Sequence, residues 1–374
     1  MNVPKLRFKE FNDEWEGYPL NKLVNFSKGN LLSKADLDES GLYPCILYGQ
    51  LYTKYKEVIR NVYSKTNRND KNLVRSKYGD ILIPSSGETP IDISTASCIL
   101  LDNIVLGGDI NILSPNNCDG RFLSYMINNN KRKDIAKVAQ GHSVVHLYND
   151  NLKNINVNIP TINEQTKITN TLELLDKKIE LQIKKIEDLK LFKLCITNTI
   201  FKETDKLCKK SLKDICSVTK GKQINSELLS EEGNYYMLNG GINPSGFLNE
   251  YNTKENTISI SEGGNSCGYV NYNKTKFWAG GHCYTVLPKN INNVYLYQLL
   301  KYNEKRIMDL RVGSGLPNIQ KKDLENFSLY IHESIVQNKI ATALTTIDDL
   351  INLEEQKNNN LEKLKKGLMQ NMFV

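Results

Sequence analysis

The stretch QTKITNTLELLD, residues 165–176, returns 172 positions later as QNKIATALTTID, residues 337–348. Extending the alignment without a gap over 163–201 and 335–373 pairs Gln165, Lys167, Ile168, Leu172, Asp176, Ile179, Leu181, Lys185, Leu189, Lys193 and Phe201 with identical residues at Gln337, Lys339, Ile340, Leu344, Asp348, Ile351, Leu353, Lys357, Leu361, Lys365 and Phe373. Unrelated segments of this length share about two or three identities, so the chain carries an internal duplication.

Apolar Ile168, Leu172, Leu175, Ile179, Ile186, Leu189, Ile196 and Ile200 follow alternating steps of four and three, with Gln182 and Lys193 in the two remaining slots. That is the spacing of a coiled-coil seam. Ile340, Leu344, Ile347, Ile351, Leu361, Leu368 and Met372 repeat it in the second copy. Each copy predicts a helix of roughly 38 residues, near ~57 Å long. The seam is narrow and the remaining surface charged (Lys177, Lys178, Lys184, Lys185, Glu187, Asp188), which suits one partner helix rather than a broad domain face. The simplest partner is the other copy, paired antiparallel if the two halves are related by a pseudo-two-fold axis. The alternative is that each helix packs on its own domain.

The segments before the helices repeat more faintly. LNKLVNFSKG (20–29) resembles LKDICSVTKG (212–221), VLGGDINIL (105–113) resembles WAGGHCYTVL (278–287), and AQGHSVVHLYNDNLKNINVNIP (139–160) aligns with RVGSGLPNIQKKDLENFSLYIH (311–332). The offset drifts from 192 to 172, so the first globular segment carries about 20 extra residues. Short apolar runs such as GDILIPS, INVNIP, TISISEGG and CYTVLP, broken by Gly, Asn and Pro, read as strands. The expected fold is therefore α+β: two globular domains with short irregular strands, joined by two long helices. The expected segments are 1–160, 161–206 (first long helix and linker), 207–332, and 333–374 (second long helix).

At 374 residues with 40% hydrophobic content, the chain is long enough for two or three domains with real cores. No apolar run of about 18 residues occurs, and the first residues contain no apolar leader, so a cytoplasmic location is expected. Eight scattered cysteines without a CxxC pair read as reduced thiols rather than a metal site. No phosphate-binding GxxxxGK[ST], GxGxxG after a strand, adenine-methyltransferase Asn/Asp-Pro-Pro-aromatic, GxSxG or HExxH motif is present. The chain is expected to perform no covalent chemistry of its own and to hold no cofactor or metal.

The net charge of +7 favours an anionic partner. In KYKEVIRNVYSKTNRNDKNLVRSKY (54–78), eight cations are interleaved with tyrosines. Charge for phosphates and Asn or Arg forks for base edges are what duplex DNA requires. Lys54, Lys56, Arg60, Tyr63, Lys65, Asn67, Arg68, Lys71, Arg75, Lys77 and Tyr78 are the candidate DNA contacts of the first segment, with His142 in its glycine loop. The second segment offers Asn239 and Asn243 in NGGINPSG, Asn265 in SEGGNSCG, Lys274, Lys276 and Ser314. A solvated lysine-rich loop is the competing explanation for the basic run.

Two variable segments, each leading into a helix that opens x-x-x-Gln-x-x-Ile-x-x-x-Leu-x-x-Ile/Leu-Asp-x-x-Ile, resemble the specificity subunit of a type I restriction-modification system. The start VPKLRFKEFNDEWEGYPLNKL, with Pro4, Leu6, Arg7, Phe8, Trp15 and Leu20, is similar to the usual opening of those subunits. The second half departs from it, having FKETDKLCKKSLKDI in that place. The resemblance implies two target-recognition domains, each reading one half of a split site on double-stranded DNA, with the helices as spacer. It also implies partners: two methyltransferase subunits using S-adenosylmethionine, and restriction/translocase subunits, with ATP and Mg also used by the partners. A coiled-coil interaction scaffold with no nucleic-acid role is the alternative, disfavoured by the basic run and the opening segment.

Overall fold

Both copies of the repeat form single helices of 39 residues, Ile162–Ile200 and Ser334–Met372. The computed structural model describes residues 3–141, 144–202, 207–313, 315 and 317–374. The chain divides into two compact units, one of Met1–Gln182 with Lys357–Val374, the other of Ile183–Gln356. Each unit thus contains one half of each long helix.

In the second unit Lys193 Nζ donates to Asp348 Oδ1 at 2.6 Å and Lys185 Nζ to Glu354 Oε1 at 3.1 Å. Partner numbers fall as the others rise, so the helices are antiparallel there. In the first unit Lys365 Nζ lies 2.7 Å from Asp176 Oδ1, while Ile168 and Leu172 share a core with Met369, Met372 and Phe373. Asp176 and Asp348 are equivalent repeat positions, as are Lys193 and Lys365. One pair is therefore formed twice with the helices exchanging roles, as in a self-complementary contact.

Of the seam residues, Ile168, Leu172, Ile179, Ile186, Ile340, Leu344 and Ile351 are buried; Leu175, Leu189, Ile196, Ile347, Leu361 and Leu368 are half-buried. The seam serves more than the partner helix. The early turns of each helix enter the core of the domain that precedes it, and the phenylalanine just past its end enters the other core. Phe373 packs 5.3 Å from Phe122 in the first unit, and its repeat counterpart Phe201 packs 5.7 Å from Tyr295 in the second. The two sequence alternatives, partner helix and own domain, are both satisfied.

The repeated glutamine is a latch. Gln165 Nε2 donates to Pro160 O at 2.8 Å and its Oε1 accepts from Asp119 N at 2.9 Å. Gln337 does the same with His332 O at 2.8 Å and Asn292 N at 3.1 Å. Asp119 and Asn292 cap the domain helices Gly120–Met126 and Asn293–Tyr302. Those helices in turn reach the repeated aspartate: Tyr125 OH donates to Asp176 at 2.5 Å and Gln298 Nε2 to Asp348 at 2.9 Å.

Each unit is built on one sheet plan. In the first, Val24–Lys28, Ile110–Pro115, Ile81–Pro84, Ser97–Ile99 and Val58–Ile59 lie side by side in that order; in the second, Cys216–Lys220, Cys283–Pro288, Thr257–Ser261 and Val270–Asn273 do. The registers match, with Lys28 opposite Asn111 and Lys220 opposite Tyr284. Each unit adds a three-stranded sheet, Ser64–Thr66, Tyr43–Ile46, Val105–Leu106 or Gly246–Leu248, Tyr235–Leu238, Trp278–Ala279. The extra residues of the first unit fall mostly between these shared strands, in 47–63 and 67–80, which are largely the basic run. The Arg7 guanidinium makes two 2.8 Å bonds to the nearly fully buried Glu164. The repeat counterpart of Glu164 is Val336, so the second long helix has no acid at the position that Arg7 neutralises in the first.

Removing one partner from a buried ion pair costs about 3–5 kcal/mol. Lys365 also lies 3.0 Å from Glu57 Oε2, and its side chain keeps 14% exposure. Lys365→Met should therefore destabilise the first unit by a little less, about 2–3 kcal/mol, read as a lower urea midpoint. The exposed neighbour Lys366→Met should leave the midpoint unchanged. Gln337→Ala orphans the Asn292 N–H and the His332 carbonyl and should cost about 1–3 kcal/mol.

Candidate nucleic-acid interface

The basic run of the first unit separates by role. Its arginines are held by the protein. Arg60 pairs with Glu173 on the first long helix at 2.5 Å. Arg68 donates to Leu31 O at 2.7 Å and pairs with Asp70 at 2.8 Å. Arg75 bonds Asn103 O at 3.0 Å and Asn69 Oδ1 at 2.8 Å, with its guanidinium over the Tyr43 ring. Asn67 accepts from Leu42 N and donates to Asp38. Lys54, Lys56, Lys65, Lys71 and Lys77 are exposed, as are Tyr63 and Tyr78. Lys54, Lys56, Arg60 and Tyr63 line a groove of about 770 Å³ against Glu173, Lys177 and Glu180 of the helix. Lys77 and Tyr78 sit before Ile81–Pro84, at the sheet end opposite Ser85. His142 and Ser314 lie outside the described residues.

In the second unit, loops converge on one sheet end. Asn239 Oδ1 accepts from His282 N at 3.0 Å, Gly264 N donates to Pro317 O at 3.0 Å, and Trp278 Nε1 donates to Lys222 O at 2.9 Å. At their centre Glu262, almost fully buried, accepts from Lys220 Nζ at 2.6 Å and Tyr284 OH at 3.0 Å and faces His282 Nδ1 at 3.1 Å. Burial works to raise the Glu262 carboxyl, but the bonds from Lys220, Tyr284 and His282 outweigh it and hold the group below its ordinary value. Asn265 is exposed in the loop after Glu262, and Asn243 is exposed in the loop after Asn239. Lys274 and Lys276 lie at the other end of the sheet, where Asn273 is opposite Thr257. Lys276 there sits 4.6 Å over the Tyr251 ring.

The first unit has the same address with other chemistry. Lys28 Nζ is 3.5 Å from Asp109 Oδ1, and Ser85 Oγ donates to that oxygen at 3.4 Å. By strand register Lys28 matches Lys220, Ser85 matches Glu262 and Asp109 matches His282. Composition alone did not single out Lys28, Asp109, Lys220, Glu262 or His282. The available signal was positional: the repeated Lys-Gly and Gly-Gly pairs frame residues that differ between the halves.

Among the described residues no group of His, Cys, Asp or Glu could hold a metal ion, and no helix is long and apolar enough to cross a membrane. All eight cysteines are free thiols; Cys195 and Cys208 are exposed, and burial pushes the Cys45 thiol up to about 11.

The family model for the type I restriction modification DNA specificity domain matches the chain twice, over 12–191 and 205–363. A type I specificity subunit of Mycoplasma pneumoniae is 38% identical over 144 residues, covering 37% of this chain and 38% of that protein. One from Mycoplasma genitalium is 24% identical over 390 residues, covering 99% of this chain and 96% of the relative. The crystal structure of a type I restriction-modification S subunit from M. genitalium shares the fold with a TM-score of 0.73 at 21% identity, covering 100% of this chain and 99% of that one. A chain from a structure of type I restriction-modification complex assembly gives 0.55 at 14% identity, covering 95% and 96%. With both halves matched and the repeated frame present in each unit, the chain belongs to the type I restriction-modification DNA specificity family, as a non-catalytic DNA-recognition subunit.

Proposed function

We propose that each unit reads one half of a bipartite target on double-stranded DNA and that the two long helices set the number of unread base pairs between the halves. The observation that carries this is the contrast between frame and tip. The sheets, latches and ion pairs repeat, while the residues at equivalent loop tips change from Ser85 and Asp109 to Glu262 and His282. One module that reads a few base pairs discriminates weakly, at about 1–3 kcal/mol per good bidentate contact. Linking two modules adds their free energies and raises the effective concentration of the second encounter.

The partners in this reading are two methyltransferase subunits and restriction/translocase subunits, which supply S-adenosylmethionine, ATP and Mg chemistry in the bacterial cytoplasm. Support comes from apolar side chains left exposed on the long helices. Leu174 and Leu181 are so placed in the first unit, and Leu191, Phe192, Leu194 and Leu353 in the second. Exposed apolar side chains repeated along a helix, as Leu174 with Leu181 are, suit burial against a partner. The scaffold reading without a nucleic-acid role has no observation in its favour once the family match is in place.

Deleting seven residues from each long helix at matched repeat positions shortens each by ~10 Å, about three base pairs at 3.4 Å per step. The bipartite motif recovered by methylome sequencing should keep its half-sites and change its spacer; an unchanged spacer overturns the ruler role. Neutralising Lys54, Lys56 and Lys71 should lower the slope of log affinity against log salt by about one for each phosphate that a lysine no longer neutralises. Binding titrations from low to moderate salt measure it.

A further inference from the structure

The glycine pairs flanking the loop tips are required by packing. A Cβ on Gly29 would stand 2.1 Å from Gly107 O, and one on Gly221 would stand 2.3 Å from Gly280 O. In both units the Lys-Gly strand end is thus pressed against the first glycine of the Gly-Gly turn. That close approach fixes where the next residues project, whatever their identity. Two positions beyond each first glycine stand Asp109 and His282, with 49% and 61% of their side chains exposed. Asp109 has a left-handed backbone, φ 60°, which aspartate tolerates better than most residues.

The lysine of the strand end is constant while its acid changes place. In the first unit the acid is the tip residue itself, Asp109. In the second the acid has moved to the neighbouring strand as buried Glu262, and the tip carries an imidazole instead. Charge near the turn is thereby kept balanced while the group offered to solvent is exchanged. A purely structural ion pair has no need of that exchange, since either acid would neutralise the lysine.

Building on the two-half-site reading above, we propose that Asp109 and His282 are specificity-determining residues, each contacting a base edge in the half-site of its own unit, while Lys28 and Lys220 address the adjoining phosphates. The Asp109 carboxylate is an acceptor and fits the exocyclic amino group of adenine or cytosine. Glu262 holds the Nδ1 edge of His282, which leaves Nε2, across the ring, as the reading atom. Ser85 and Glu262 are positioning residues: they orient the tip side chain and do not themselves touch the base.

The test uses the full chain in complex with its modification subunits and selection from a randomised duplex library. His282→Ala and Asp109→Ala are compared with Lys254→Ala, an exposed residue before the strand Thr257–Ser261 at the opposite end of the sheet. His282→Ala should relax preference at one or two adjacent base pairs of one half-site by about 10-fold or more, leaving the other half-site and nonspecific affinity intact. Asp109→Ala should do the same in the other half-site, and Lys254→Ala should change no base preference. Because both tips are exposed, His282→Ala should leave the thermal midpoint unchanged, and Asp109→Ala, at φ 60°, should lower it slightly while keeping a cooperative transition, which confirms that both variants fold. Uniform weakening on all sequences, or an unchanged motif, overturns the assignment. If the wild-type complex enriches no bipartite motif at all, the two-half-site reading itself fails, and this inference with it.

Discussion

The ammonium of Lys365, mostly shielded from water between Asp176 and Glu57, holds the two long helices to each other and to the residue that precedes the domain strand Val58–Ile59. Burial opposes its charge, but the two carboxylates outweigh that penalty and raise its pKa. Asp176 also accepts from Tyr125, so the helix pair and the domain helix are tied through one carboxylate. The equivalent Lys193 and Asp348, with Gln298 in place of Tyr125, repeat the arrangement in the other unit. A leucine pair would bury more apolar area but would tolerate a slipped register. A buried polar pair does not, because displacement leaves a charge unpaired.

From this lock the rest follows in layers. The glutamine latch fixes the last strand and the helix cap of each domain to the start of its long helix, and the domain helix packs on the sheet. The sheet strands then end in loops whose origins are determined by glycine packing. Variation is tolerated at the tips because none of these supports depends on the tip side chains. A recognition protein benefits from that separation, since new residues at Asp109 or His282 do not disturb Gly107 or Gly280 below them.

Much of this was legible in order of residue. The step pattern from Ile168 to Ile200, the matched Gln165 and Gln337, and the Asp176 and Lys193 identities predicted two long antiparallel helices, and those residues form the seam, latch and lock. The faint match of Lys28-Gly29 to Lys220-Gly221 pointed to a shared framework, and the structure places both at equivalent strand ends in matching register. The arginines are different. Their composition is equally suited to phosphates and to Glu173, Leu31 O or Asn103 O, and nothing local distinguishes those uses.

Periodicity and self-similarity are properties of order along the chain, so the duplication, the helix lengths and the kind of element each segment forms were determined by the sequence alone. Which arginines are consumed by internal bonds depends on partners elsewhere in the fold. Glu262, just past the strand Thr257–Ser261, meets Lys220 and His282 from 42 and 20 positions away, with the strand Cys283–Pro288 lying between those of Lys220 and Glu262. Those pairings arise only when the sheet brings distant residues to one end, where burial and hydrogen bonding select among chemically similar side chains. The tertiary structure therefore decided which polar residues support the frame and which remain available at its tips.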